Sequence, residues 1–151
     1  MIERLQNNDL HVSNKIQTVF QLSYALEAKL LNATDFPPLK RSLESYLKSD
    51  NDFFGYLKNQ EIAGIVEINH NDSFTHIQSL VVNPKFFRQG IGRKLMAFVI
   101  NSFDSNLFIV ETGVENGPAT LLYKKIGFKE VKQWDTEYGI RKIKFELKMN
   151  I

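Results

Sequence analysis

From Asn14 to about Asn32 the apolar residues Ile16, Val19, Phe20, Leu26 and Leu30 fall on one stripe of a helix, with polar residues between them. The next stretch, TDFPPLKRSLESYLKSD, opens on a capping residue and prolines and then sets Leu39, Leu43, Tyr46 and Leu47 on one face. That pattern predicts a second helix. The period then changes. DFFGYLKNQEIAGIVEI reads as two strands joined by a turn at Lys58, Asn59 and Gln60. FTHIQSLVV reads as a third, after the polar turn Asn69 to Ser73, and Asn83-Pro84 stops it. A glycine loop leads into a helix over 91–103 whose inner face carries Ile91, Leu95, Phe98, Val99 and Ser102. The continuous apolar run LFIV at 107–110 marks a strand covered on both faces. A helix from Pro118 to Ile126 ends at Gly127, a left-handed cap. Phe128 to Thr136 and Ile140 to Met149 form a closing hairpin. In its last strand Ile143, Phe145, Leu147 and Met149 alternate with Lys144, Glu146 and Lys148, a solvated face that discourages edge pairing. The order of elements predicts an α+β fold, a mixed and mostly antiparallel central sheet flanked by about four helices. One crossover, strand 74–82 to helix 91–103 to strand 107–114, makes a parallel pair.

The 151 residues suit one domain over 1–151 with a real core. A formal net charge of +2 gives no reason to expect a nucleic acid or membrane partner. No segment has the apolar length of a membrane span, and MIERLQNNDL lacks the apolar region of a signal peptide, so the expectation is a cytoplasmic protein. With no cysteine, disulfides, thiolate metal sites and a cysteine-bound covalent intermediate are excluded. His11, His70 and His76 show no metal-ligand spacing, and no metal is expected.

The informative stretch is FRQGIG, residues 87–92, followed by Arg93 and Lys94. A helix N-terminus carries partial positive charge and disfavours cations in its first turn. Here Lys85, Arg88, Arg93 and Lys94 surround one, which points to an anion held there. A glycine-rich turn between strand and helix lets backbone amides converge on a phosphate. Each hydrogen bond to a charged group is worth about 1.5–3 kcal/mol, so a few outweigh the dipole penalty. The alternative is a surface turn that happens to be basic. A dinucleotide site is rejected: Gly90-Ile91-Gly92-Arg93-Lys94-Leu95 lacks the third glycine, and no alternating α/β pattern follows Glu111.

LVVNPKFFRQGIGRKLM and, after a short strand, ETGVENGPATLLYKKIGF together closely resemble the GNAT superfamily of acyl-CoA N-acyltransferases. The family's Q/R-x-x-G-x-G/A loop holds the pyrophosphate of coenzyme A, and N-x-x-A-x-x-L-Y-x-x-x-G-F follows. The second motif matches at Asn116, Ala119, Leu122, Tyr123, Gly127 and Phe128. The resemblance covers roughly 74–128. The loop departs at its first position, Phe87 instead of Gln or Arg, with Arg88 one residue late; Arg88 or Arg93 is expected to replace that contact.

The resemblance implies transfer of an acetyl group from acetyl-CoA to a primary amine by direct attack in a ternary complex. It implies a pyrophosphate held by the loop from Phe87 through Arg88, Gln89, Gly90, Ile91 and Gly92 to Arg93. The backbone of Leu80, Val81 and Val82 would pair with the pantetheine arm like an added strand, and Asn116 and Ala119 would border it. The alternative for Asn116 is a plain helix N-terminal cap ahead of Gly117-Pro118. The family places a bulge in this strand, so that the Leu80 amide polarises the thioester carbonyl. Tyr123 would protonate the departing thiolate, or else simply pack against the sheet. For the base, strand alternation puts His76 and Gln78 on the face of Leu80, which makes His76 first candidate, Glu111 second and Glu67 third. The acceptor cleft is expected between the first two helices and the last hairpin, bringing Phe36, Trp134 and Tyr138 near Asp35, Asp135 and Glu137. The same residues read as plain loop tips. The acceptor itself, a small molecule or a peptide, stays open, as does a homodimer. The competing reading is a non-catalytic acyl-CoA-binding or sensing module.

Overall fold

The computed structural model describes residues 1–149. The elements run β1 (Ile2–Leu5), α1 (Leu10–Leu30), α2 (Leu43–Leu47), β2 (Asp52–Lys58), β3 (Glu61–His70), β4 (Thr75–Val82), α3 (Ile91–Ser102), β5 (Leu107–Gly113), α4 (Gly117–Ile126), β6 (Lys129–Asp135) and β7 (Arg141–Lys148). Short 3₁₀ turns at Pro37–Lys40 and Pro84–Phe86 precede α2 and α3. The strands form one sheet in the order β1-β2-β3-β4-β5-β7-β6, antiparallel except for the expected parallel pair β4–β5. The fold class is the one the element order predicts.

Three boundaries differ, each for a local reason. Strand β1 was not expected: its four residues, IERL, carry too little pattern, and it exists because it pairs with β2 from Ile2–Tyr56 to Leu5–Phe53. Helix α1 begins a turn before Asn14, because Asp9 caps it by accepting from the amides of His11 (2.8 Å) and Val12 (3.2 Å). The predicted second helix is split. Ser42 is extended and accepts from the Ser45 amide, so a new one-turn helix starts there after the proline-led 3₁₀ turn.

The hairpin turn between β2 and β3 falls where expected, with Asn59 and Gln60 both in left-handed backbone at φ 51° and 68°. The last strand, β7, is not an edge. It lies between β5 and β6, so its lysines do not guard a free edge.

Two apolar layers cover the sheet. On one face, α1 and α2 pack Ile16, Val19, Phe20 and Tyr46 against Phe53, Ile65 and Val81. On the other, α3 and α4 pack Leu95, Val99 and Tyr123 against Val66, Ile77, Phe108 and Phe145. The inner face of α3 carries Ile91, Leu95 and Val99 as expected; Met96 is buried too, whereas Ser102 is exposed. A small third cluster of Ala28, Leu31, Phe36 and Ile140 closes the end of α1 against the hairpin.

Candidate active site

The loop before α3 has the backbone of an anion cradle. Arg88 and Gly90 both take left-handed conformations, at φ 66° and 73°, separated by one residue. Gly90 is the N-cap and offers no side chain, and the first turn contains no acidic residue, so the leading amides of α3 have no side-chain partner. The four cations divide. Lys85 pairs with Glu61 at 3.0 Å, and Lys94 lies over the Tyr56 ring at 5.4 Å. Arg88 and Arg93 have no ion-pair partner among the described residues, and both line a cleft of about 610 Å³. Gln89 instead accepts from Lys58 on the hairpin turn. The side chain of Phe87 is 45% exposed at the cleft, where the resemblance would have a polar group.

From the loop the cleft runs along Leu80 and Val82 toward a fork in the sheet. Strands β4 and β5 pair only over Thr75–Phe108, His76–Ile109 and Ile77–Val110. Beyond Ile77, β4 continues to Val82 with β3 alone, which leaves its outer edge without a partner strand. The cause is the bulge anticipated for this strand. Glu67 pairs with Ser79 and Ile68 with Ile77, so Gln78 is the extra residue and β4 bends away.

The same bulge corrects the face assigned to His76. Alternation would put His76 with Leu80, but one extra residue reverses the pleat. Ile77 and Leu80 therefore both pack toward α3 and α4, while His76 shares the opposite face with Ser79 and Val81. His76 does not line the cavity described next, and burial lowers its pKa from the usual imidazole value.

Past the fork lies a second cavity of about 270 Å³, which shares Tyr24, Glu27, Leu80 and Asn116 as walls with the cleft. Tyr123 is only 4% exposed, wedged against Phe128 and Phe145 with ring centroids 5.9 and 5.8 Å away. Among the described residues its hydroxyl nonetheless has no partner, and it is not sealed off from the cavity that Tyr123 lines. Burial pushes its pKa well above the ordinary phenol value, so it is a protonated donor at neutral pH. Glu111 lines the same cavity with Lys142 at 3.7 Å.

Asn116 does two things at once. Its Oδ1 caps α4 by accepting from the Ala119 amide at 3.3 Å, and its Nδ2 donates to Glu27 Oε1 at 2.7 Å. Of the six residues expected at the acceptor, Phe36 and Tyr138 line the cavity. Trp134 and Asp135 do not: Trp134 lies under Lys132 at 5.0 Å, and Asp135 pairs with Arg141 at 3.0 Å on the edge strand. Asp35 is turned to Lys40, and Glu137 is exposed.

Glu67 is set apart from the base candidates by its partners. At 1% exposure it accepts from Arg41 twice (2.7 and 2.9 Å), Asn51 (2.8 Å) and Ser79 (3.1 Å), which fills both oxygens. Tyr24 donates to Ser79 at 3.2 Å and extends this network to the cavity. Tyr24, Glu27 and Arg41 escaped the sequence reading. A signal existed for two of them: Tyr24, Glu27, Ala28 and Leu31 share one helical stripe, where a carboxylate is out of place.

Among the described residues no group of His, Asp and Glu is placed to hold a metal ion, and no helix is long and apolar enough to cross a membrane.

A family model described as an acetyltransferase (GNAT) domain matches residues 28–149. The Bacillus subtilis protein called UPF0157 protein YqkA is 32% identical over 141 residues, covering 93% of this chain and 41% of that one. An N-alpha-acetyltransferase of Sulfurisphaera tokodaii is 38% identical over 61 residues, 38% of this chain and 36% of its own. This chain thus spans less than half the length of the curated relatives it matches. Among solved structures, the ribosomal-protein-S18-alanine N-acetyltransferase of Escherichia coli superposes with a TM-score of 0.78 at 20% identity, over 100% of this chain and 94% of that one. The PaiA N-acetyltransferase of Thermoplasma acidophilum, in complex with coenzyme A, superposes at 0.73 with 16% identity and 99% of both chains covered.

Proposed function

Because the chain belongs to the GNAT acetyltransferase family, we propose that it forms an N-acetyltransferase domain that moves an acetyl group from acetyl-CoA to a primary amine. One observation carries this reading: a cleft runs from the amide-lined turn Arg88–Arg93 along the unpaired edge of β4 and shares four wall residues with an adjoining cavity lined by Tyr123. The turn offers the α3 amides, Arg88 and Arg93 to a pyrophosphate, and Phe87 only an apolar wall. The free edge at Leu80, Val81 and Val82 offers ladder groups to a pantetheine arm, and the Leu80 amide, two residues beyond the bulge, is the donor assigned to the thioester carbonyl in this reading. In this reading Gln89 is engaged by Lys58 and contributes backbone only.

Tyr123 gives its proton to the departing sulfur. Burial keeps the phenol in its protonated, donating form at neutral pH, and general-acid catalysis of this kind is worth about 10²–10⁴-fold. The acceptor amine enters from the cavity side, against Phe36 and Tyr138, with carboxylates in reach. Its class is a small-molecule or peptide amine, and the proposed location is the cytoplasm. Calorimetry with coenzyme A, followed by thiol release from acetyl-CoA across a panel of amines, tests the reading. Failure to bind coenzyme A at millimolar concentration would sink it; binding without turnover on any amine would favour the sensing module.

A further inference from the structure

We propose that Glu27, on α1, is the group that takes the proton from the acceptor amine; this rests on the acetyltransferase reading above and goes beyond it. Among the carboxylates lining the two cavities, Glu27 alone lines both, so it sits where the thioester end of the cleft meets the acceptor space. Its Oε1 is fixed by Asn116 at 2.7 Å and by Thr112 at 3.4 Å. Its Oε2 has no protein partner among the described residues, yet is not sealed from solvent, so one lone-pair face is left for a ligand.

The groups that face Glu27 are Tyr24 on its own helix, Thr112 and Glu111 on β5, Asn116 and Tyr123 at α4, Lys142 on β7 and Arg41 before α2. Arg88 and Arg93 stand farther along the cleft. Neither near cation forms an ion pair with it: Lys142 lies against Glu111 and only partly offsets the cost of burying Glu27, and Arg41 is spent on Glu67. A largely buried carboxylate without an ion pair of its own is a cost to the fold, and packing gives no reason to keep it where a glutamine would satisfy Asn116 equally well. Burial raises its pKa, which makes the carboxylate a stronger base than a solvated one.

The step balances as follows. The acceptor arrives as an ammonium and gives one proton to Glu27 Oε2. The freed nitrogen lone pair forms the bond to the thioester carbon. The carbon–sulfur bond then breaks, and the sulfur leaves with the proton of Tyr123. The nitrogen, on becoming an amide, loses its second proton, which restores Tyr123, and Glu27 releases its proton to solvent. The products are the amide, the free thiol and one proton.

Glu27→Gln keeps an acceptor for Asn116 and removes only the basic oxygen. It should bind coenzyme A within about threefold of wild type while losing about 10²–10⁴-fold in kcat with the best amine of the panel. The rise of kcat/KM with pH should move from the Glu27 titration to that of the free amine. A Glu27→Gln enzyme with unchanged kcat and pH profile would overturn the proposal, as would a Glu111→Gln enzyme that alone loses the acid limb. A second readout needs no turnover. In protein labelled with ¹³C at the glutamate carboxyls, the resonance missing from Glu27→Gln should titrate above the ordinary carboxylate range. It should shift when propylamine or an alanine-initiated tripeptide is added with coenzyme A. An ordinary titration, indifferent to both amines, would also overturn it. Failure of the acetyltransferase reading itself is distinguishable, since it shows in the wild type as no coenzyme A binding.

Discussion

Single side chains in this protein are explained by what burial leaves unpaired. Folding raises the Glu27 pKa, so the protonated carboxyl is the form the fold favours. Its contribution is fully present below the unfolded carboxylate pKa and is lost as pH rises through the raised value. Glu27→Gln should therefore melt above wild type at about pH 8, with the gap closing toward about pH 4. His76 has the opposite sign. Burial lowers its pKa, so the neutral ring is favoured, and stability falls as pH drops below about 6.5. His76→Gln should flatten the melting temperature between about pH 7 and 5. The Tyr46 hydroxyl is fully buried with no partner among the described residues, while the Arg41 guanidinium stacks on its ring at 4.1 Å. Tyr46→Phe keeps the ring and removes the orphan, and should stabilise by about 1–3 kcal/mol in denaturant unfolding.

Elements in this chain are set by short-range chemistry, and where that chemistry has a sequence signature it could be read in advance. The α3 and α4 helices, the β2–β3 turn and the closing hairpin follow from apolar period, Pro118, Gly127 and the Asn59-Gln60 turn. The loop glycines differ from each other. Gly90 sits at φ 73° with open space where a Cβ would be, whereas a Cβ at Gly92 would meet Leu122 at an ordinary 3.5 Å. Gly90→Ala should cost about 1 kcal/mol of stability in urea unfolding and weaken coenzyme A binding in calorimetry, while Gly92→Ala should do little in either measurement. Asn116→Ala should cost about 1 kcal/mol for the lost cap and also free Glu27 to move. What could not be read was β1, made by its neighbour, and, for the bulge that the resemblance implies in β4, its position at Gln78 and the turning of His76 to the other face, which no residue type marks.

Across the whole molecule, one buried ion pair ties the layers together. Arg41, from the segment between the 3₁₀ turn and α2, reaches through to Glu67 on β3, and Asn51 and Ser79 complete the shell. Arg41→Met would leave a buried carboxylate without its charge partner and should cost about 3–5 kcal/mol by urea unfolding. Adding Glu67→Leu should recover much of that loss, because an apolar pair needs no desolvation. The site likewise belongs to no single stretch: α1, β4, the α3 turn, β5, α4 and β7 each supply a wall.

The sequence alone determined the fold class, the parallel crossover, the glycine turn before α3 and the tyrosine on α4. These rest on interactions within a few residues or on two motifs at a fixed separation, and such information survives in a linear string. The tertiary structure decided the strand order that puts β7 inside the sheet, the separation of β4 from β5, the face of His76 and the meeting of Glu27 with Asn116 across 89 residues. Each of these depends on which distant segments share a dry space, and there the unpaired lone pairs and charges, rather than the local pattern, set the chemistry.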